Sequence, residues 1–225
     1  MPHDLLVLWD IDHTLVDTRG MGRELWAAAF HEVTGVELRE QASIEGLTEP
    51  VILRETARLH GVRDSRELFE KFAHALGAAH VRHAAELRVR GQALPGAHQL
   101  LTALAQRPEI RQTVVTGNIR TAAEVKLAAF DLERELDFDS GSFGEDADER
   151  PGLVRVALRR SDTPTEHAVL LGDTPADVRG GLAHGVRVIG VATGRTSAAD
   201  LTAAGAAQVL PDLADTERAL RLIVG

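Results

Sequence analysis

The sequence predicts an α/β fold: a parallel sheet covered by helices on both faces, with an all-helical segment inserted into it. Three observations carry this. Short apolar runs alternate with helical patterns, which is the signature of βαβ units. Three of the runs stop abruptly at acids, hydroxyls and glycines. Between residues 18 and 94 the alternation is replaced by successive amphipathic patterns without a convincing strand.

The strands expected are 4–10, 112–116, 167–172 and 186–192, with weaker candidates at 137–139 and 206–210. Helical patterns cover 96–105, 120–130, 151–159, 175–183 and 214–223. Gly185 and Gly194 punctuate the later units as turn residues do. In the 18–94 segment, Gly35, Gly46, Gly61 and Gly91 break one helix from the next. A segment of that length between two sheet strands reads as a subdomain, so the expected organisation is a core of 1–17 and 95–225 with a helical subdomain of 18–94. At 225 residues the chain is long enough for one core domain plus such an insertion.

The first apolar run, Leu5-Leu6-Val7-Leu8-Trp9, reads as a strand buried on both faces, and Asp10 and Asp12 sit where it ends. Two acids one residue apart leave a strand tip on the same side. There they can hold a divalent cation or divide nucleophilic and acid/base work, although a polar loop opening would also place acids there. The second run ends in Thr116-Gly117-Asn118 before a helical pattern, a junction that can present donors to a phosphate or can simply cap the helix. The third, 168–171, stops at Gly172-Asp173 and is followed by Asp177. Those two carboxylates can point at one cation, and an acid at a helix start also caps. In a parallel α/β sheet, ligands gather outside the carboxyl ends of the strands, so the three ends can converge although they are far apart in sequence.

As a set these segments resemble the haloacid dehalogenase superfamily, whose phosphatases carry DxDxT, a strand ending in Ser or Thr, a Lys or Arg, and GDxxxD. Here they read Asp10-Ile11-Asp12-His13-Thr14, Thr116-Gly117-Asn118, a basic residue, and Gly172-Asp173 with Asp177. The resemblance implies a Rossmann-like core with a helical cap, phosphoglycolate-phosphatase-like in layout. It also implies hydrolysis of a small phosphorylated metabolite through an aspartyl-phosphate. Asp10 would be the nucleophile and Asp12 the general acid and base, its pKa raised by crowding from neighbouring carboxylates. Mg²⁺ would be held by the side chains of Asp10 and Asp173 and by the backbone carbonyl of Asp12. Asp177 would hold a metal-bound water or orient its neighbours.

Thr116 would bind a phosphoryl oxygen, with Gly117 and Asn118 shaping the junction. Two residues compete for the basic role. Arg150, followed by Pro151, stands at the family's place, and Lys126 lies on the helix after Thr116. His13 stands where the family usually has Gly, a strained choice if that position needs a positive φ. The cap stretch Glu45-Gly46-Leu47-Thr48-Glu49 would face the aspartates and select the leaving group through Thr48 and Glu49; a plain turn with a helix cap is the other reading of it.

Composition bounds the alternatives. The formal net charge of −9 and only two lysines, Lys71 and Lys126, disfavour a nucleic-acid partner. With no Cys, disulfides, thiolate metal sites and a cysteine nucleophile are excluded. Of the ten His, only His80 and His83 have helical ligand spacing, and no third ligand is evident, which favours packing or surface roles over zinc. No apolar run reaches membrane-spanning length and the N-terminus is too soon acidic for a signal peptide, so a soluble cytoplasmic monomer or homodimer is expected. Two other functions remain in view. A phosphomutase would share the motifs. A receiver-like phospho-acceptor would also phosphorylate an Asp near Mg²⁺, but would place its acid pair before the acceptor and would not need the helical insertion.

Overall fold

The computed structural model describes residues 5–43 and 46–225. Its centre is β1 (Leu5–Trp9), which pairs in parallel with β4 (Ile110–Val114) on one side and β5 (Ala168–Gly172) on the other. Beyond β5 lie β6 (Arg187–Val191) and β7 (Gln208–Leu210), giving a five-stranded parallel sheet in the order β4-β1-β5-β6-β7.

Side chains alternate across a strand, and here both faces are apolar. Val7 and Trp9 join one hydrophobic cluster with Val169 and Leu171. Leu6 and Leu8 join the other with Leu170 and Val188. Helices α7 (Arg150–Ser161), α8 (Pro175–Leu182) and α9 (Ala198–Ala203) cover the second face through Leu153, Val154, Ala157, Val178 and Leu201. Helices α5 (Ala97–Ala105), α6 (Arg120–Ala129) and α10 (Thr216–Val224) cover the first.

The chain leaves the sheet through β2 (Val16–Asp17) and returns through β3 (Gln92–Ala93), which pair as a small antiparallel ribbon. Between them run α1 (Met21–Thr34), α2 (Glu49–Leu59), α3 (Arg66–Arg82) and α4 (Ala84–Arg90). Gly35, at φ 68, ends α1 in the left-handed conformation that a residue without Cβ adopts at little cost. Ser65 caps α3 by accepting from the Leu68 amide at 3.1 Å. Trp26, Phe30, Leu53, Phe72 and Leu76 from these helices join the same apolar cluster as Trp9, so the insertion shares a core with the sheet.

Two expectations are corrected. Residues 137–139 do not form a strand: the Asp137 carboxylate accepts from the Asp139 and Ser140 amides and the Ser140 hydroxyl, so these donors close a turn instead of joining a ladder. The contact with the sheet falls later, as a single bridge between Ser142 and Val115. The β2–β3 ribbon, for its part, is too short to show in a sequence period. Asp4, the first residue of the expected strand 4–10, lies outside the described residues.

One buried polar side chain ties the sheet to its helices. Gln112 on β4 accepts from Trp9 Nε1 at 3.2 Å and donates to the Leu101 carbonyl of α5 at 2.9 Å. Gln112→Leu roughly keeps the volume but leaves the Trp9 indole donor unpaired in the core and takes a second bond from the Leu101 carbonyl, which costs about 2 kcal/mol. A urea titration of the variant should show an earlier midpoint at unchanged slope; an unaltered midpoint would mean that water reaches these groups.

Candidate active site

Asp10 follows β1, Thr116 follows β4, and Asp173 follows β5, so three neighbouring strand ends meet at the carboxyl edge of the sheet. Carboxylate oxygens of Asp10, Asp173 and Asp177 all lie within 4.8 Å of one another, and all three residues are buried. Asp177 does cap α8, as one reading of the sequence had it. Its Oδ2 accepts from the Thr174 amide at 3.1 Å and from the Thr174 hydroxyl at 2.6 Å. That leaves Oδ1 turned away from the cap, and it is a buried atom with no hydrogen bond.

Arg150, the first residue of α7, reaches into this cluster. Its Nη2 lies 3.3 Å from Asp10 Oδ1 and its Nε 3.1 Å from Asp177 Oδ1, close but not aligned for a hydrogen bond, while Nη1 donates to the Val115 carbonyl at 3.0 Å. With all three carboxylates ionised, one guanidinium would leave two negative charges uncompensated. Burial raises the pKa of Asp10 well above the usual carboxylate range. Asp177 adds to this; Arg150 opposes it without reversing it. Asp173 is pushed up to about 8, first by burial and then by Asp177 and Asp12. Thr14, also buried, donates to Asp10 Oδ2 at 3.3 Å.

A divalent cation fits this set: hard oxygen ligands, an orphaned carboxylate oxygen, and a charge excess that it would cancel.

Asp12 sits apart from that cluster and pairs with Lys126. The ammonium lies 2.8 Å from each Asp12 oxygen and donates to Asn118 Oδ1 at 2.7 Å. Asn118 Nδ2 in turn donates to Asp12 Oδ2 at 2.6 Å and to the Thr116 hydroxyl oxygen at 2.8 Å. This corrects the expected protonation of Asp12. Burial works to raise its pKa, but the Lys126 charge and the hydrogen bonds from Lys126 and Asn118 outweigh it, and the net shift is downward. Of the two basic candidates, then, Arg150 stands beside Asp10 and Lys126 beside Asp12.

Thr116 and Asn118 do not cap α6. The cap position is Ile119, and the Glu145 carboxylate, from the far side of the junction, accepts from the Arg120 amide at 3.0 and 3.1 Å. His13 has φ 61, the left-handed conformation expected to strain a non-Gly residue. Its amide donates to the Val16 carbonyl at 2.8 Å, and its carbonyl accepts from the Thr193 hydroxyl.

The stretch 46–49 lies directly on the strand ends; Glu45 is outside the described residues. The Glu49 amide donates to the Gly117 carbonyl at 2.9 Å, and a Cβ on Gly117 would stand 2.2 Å from the Leu47 carbonyl oxygen, so only glycine permits the approach. Thr48, at the cap position of α2, makes no cap hydrogen bond and instead donates to the Asp148 carbonyl at 3.1 Å. Arg54 pairs with the Asp148 carboxylate at 3.0 Å. Glu49 accepts from Trp26 Nε1 at 2.7 Å, and burial pushes its carboxyl up to about 7.

Three neighbours of this region escaped the sequence reading: Trp26 on α1, His80 on α3 and Glu145. His80 and His83, spaced as helical ligands, diverge. His80 is buried, with Nδ1 on the Leu76 carbonyl at 2.9 Å, while His83 faces Glu86 in solvent at 3.1 Å. No local pattern announces these three: Trp26 and Glu145 act through partners distant in sequence, and the burial of His80 is set by packing between helices. Among the described residues, no helix is long and apolar enough to cross a membrane.

Solved structures similar to the chain include a hydrolase from Pseudomonas syringae, with 22% identity over 97% of this chain and 98% of that one and a TM-score of 0.70. A predicted phosphatase from Clostridium acetobutylicum has 20% identity over 96% and 98% of the two chains, also at a TM-score of 0.70. A mutant of CbbY from Rhodobacter sphaeroides, in complex with xylulose-(1,5)bisphosphate, has 20% identity over 96% of each chain at a TM-score of 0.67. Identities this low establish the shared fold alone. Among curated proteins none matches the chain. The family model for haloacid dehalogenase-like hydrolases matches residues 7–191, from the first strand through β6, and on that match the chain belongs to the haloacid dehalogenase-like hydrolase family.

Proposed function

We propose that the chain is a Mg²⁺-dependent phosphatase that hydrolyses a small phosphorylated metabolite through an aspartyl-phosphate on Asp10. The observation that carries this reading is the buried excess of negative charge at the strand ends, beside a guanidinium and a hydroxyl junction. Asp10, Asp173 and the Asp12 carbonyl would hold the cation, with Asp177 holding a metal-bound water or orienting its neighbours. When bound, Mg²⁺ would neutralise the carboxylates and the phosphoryl oxygens. The helical segment 18–94 would act as a cap on a core of 1–17 and 95–225; the β2–β3 ribbon, where both crossings fall, supports those boundaries.

Asp10 attacks phosphorus in line, and the bond from phosphorus to the leaving oxygen breaks. Arg150, already at Asp10, holds equatorial phosphoryl oxygens through its fork, and the Thr116 hydroxyl, which only accepts from Asn118 in the resting site, is free to donate to another. Asp12 is ionised beside Lys126, so it is ready to take a proton from the water that later splits the aspartyl-phosphate. In the first half-reaction it must carry a proton to the leaving oxygen. A phosphate monoester, with a second pKa near 6, can bring that proton as its monoanion. Release of inorganic phosphate, rather than transfer to a second hydroxyl of the same molecule, separates this reading from a phosphomutase.

Asp10→Asn removes the nucleophile and one ligand together, and should lower phosphate release at least about 10³-fold. Asp12→Asn keeps the backbone carbonyl and loses proton transfer, a loss of roughly 10² to 10⁴ in kcat. Near wild-type turnover in the first variant would reject the covalent route, and full kcat in the second would reject the acid/base assignment. Ca²⁺ should inhibit, because its larger and looser shell allows Asp10 to bind it through both oxygens. Undiminished activity in excess EDTA, after metal removal, would reject the metal site.

The charge excess also makes a prediction that needs no substrate. An unfolded aspartate titrates near 3.9, whereas Asp173 is held up to about 8, so between those values the folded chain binds more protons. Metal-free stability therefore falls as pH rises across that interval. In a thermal melt the metal-free protein should have a lower Tm at about pH 8 than at about pH 6, and Mg²⁺ should remove most of the difference. Metal-free Asp173→Asn should show a flatter pH dependence than wild type; an equal slope, or no response of wild type to Mg²⁺, would count against the cluster.

A further inference from the structure

Around Asp12 the donors of Lys126, Asn118 and Trp26 are engaged, while two buried or half-buried acceptors are not fully used. The Lys126 ammonium has three N–H bonds and three acceptors, both Asp12 oxygens and Asn118 Oδ1. The Asn118 amide spends both of its hydrogens on Asp12 and Thr116, and the single donor of Trp26 is spent on Glu49. At the rim, Arg54 is paired with Asp148, and Arg120 with Glu124 and Asp139.

Two acceptors stand out among the described residues. One is Glu49, which receives the Trp26 donor on Oε2 and has a second oxygen. The other is His80, only 3% exposed, whose Nδ1 must carry the proton because it faces the Leu76 carbonyl. Its Nε2 is therefore a bare lone pair, buried and without a hydrogen-bond partner.

Both acceptors lie near the Asp12–Lys126 pair. Gly77, one turn before His80 on α3, lies with its Cβ position 3.1 Å from Thr121 of α6, so that face of α3 meets the helix that carries Lys126. The charges of Lys126 and Asp12 act on His80 and on Glu49 alike. Gly22 of α1 also approaches the pair, its Cβ position 3.9 Å from Lys126 Nζ. Asp12 is the residue at the leaving oxygen in the function proposed above, and the present inference rests on that reading only for the direction in which the leaving group points.

We infer that Glu49 and His80 form a subsite for a neutral, hydroxyl-bearing leaving group, so that the substrate is a polyol or sugar monophosphate without a second anionic group. A hydroxyl gives each open acceptor the proton it lacks. A carboxylate or second phosphate brings only acceptors, finds the donors of Lys126, Asn118 and Trp26 already engaged, and would face the ionised Asp12 as well as the Glu49 carboxyl. An amine would satisfy Glu49, but would be set beside the Lys126 ammonium. Burial lends support: it keeps His80 neutral, with its pKa down at about 4, so Nε2 stays an acceptor across the working pH range.

Two measurements test this, one of them independent of turnover. By calorimetry, with Mg²⁺ and the Asp10→Asn protein, sorbitol 6-phosphate should bind at least about tenfold more tightly than phosphoglycolate or fructose 1,6-bisphosphate. In wild type, kcat/KM should follow the same order. In Glu49→Gln, and in His80→Phe where circular dichroism shows it folded, the ratio of polyol phosphate to phosphoglycolate should fall severalfold. Equal or reversed binding preference, no binding of any of the three, or a ratio unchanged in both variants would overturn the inference. If the binding preference holds and no phosphate ester is turned over, p-nitrophenyl phosphate included, the phosphatase reading fails while the subsite stands.

Discussion

The whole site turns on the cost of burying charge. Three aspartates are packed where strands meet, with one arginine among them, and an uncompensated carboxylate in such a place pushes its own pKa upward. The rest of the sheet exists to hold that arrangement. β1 is flanked by β4 and β5, so loops from three distant parts of the chain must leave the sheet side by side, and both faces of β1 are sealed by apolar clusters that exclude water. Such strain at a strand end has a chemical use: an unsatisfied negative cluster is a strong place for a cation, and a cation is what lets a carboxylate approach a phosphate.

Beside that cluster the protein builds a second, balanced one. Lys126, Asp12, Asn118 and Thr116 satisfy one another almost completely, which fixes the Asp12 carboxylate in place and keeps it ionised. The two clusters divide the work. The frustrated one would bind metal and phosphate, and the satisfied one would position the proton carrier. The 46–49 stretch closes over both, held to the Gly117 carbonyl by the Glu49 amide and to Asp148 through Thr48 and Arg54.

The parts of this that could be read in the sequence are those that chemistry writes locally. Asp10, Thr116 and Asp173 each stand at the end of an apolar run, and a strand that stops at a polar residue announces both an element and a site. The glycines that end the inserted helices were legible for a similar reason. What could not be read depends on partners far apart. Lys126 and Asp12 are 114 residues apart and Trp26 and Glu49 are 23 apart, and neither pair leaves a periodic trace. The downward shift of Asp12 was missed because carboxylate crowding is visible in sequence, whereas a lysine arriving from another helix is not. Residues 137–139 read as a strand because Phe138 sits in a short half-apolar run; Asp137, by capturing local backbone donors, made it a turn.

The central claim is that Asp10 carries the phosphoryl group, and acid-quenched mass spectrometry addresses it most directly. The protein would be mixed briefly with Mg²⁺ and a phosphate ester, quenched, digested and mapped. The account predicts the added mass of one phosphoryl group on the peptide that holds Asp10, lost in Asp10→Asn and persisting longer in Asp12→Asn, where water is activated poorly. Turnover with no label on that peptide at any quench time, or a label that survives Asp10→Asn, would contradict it.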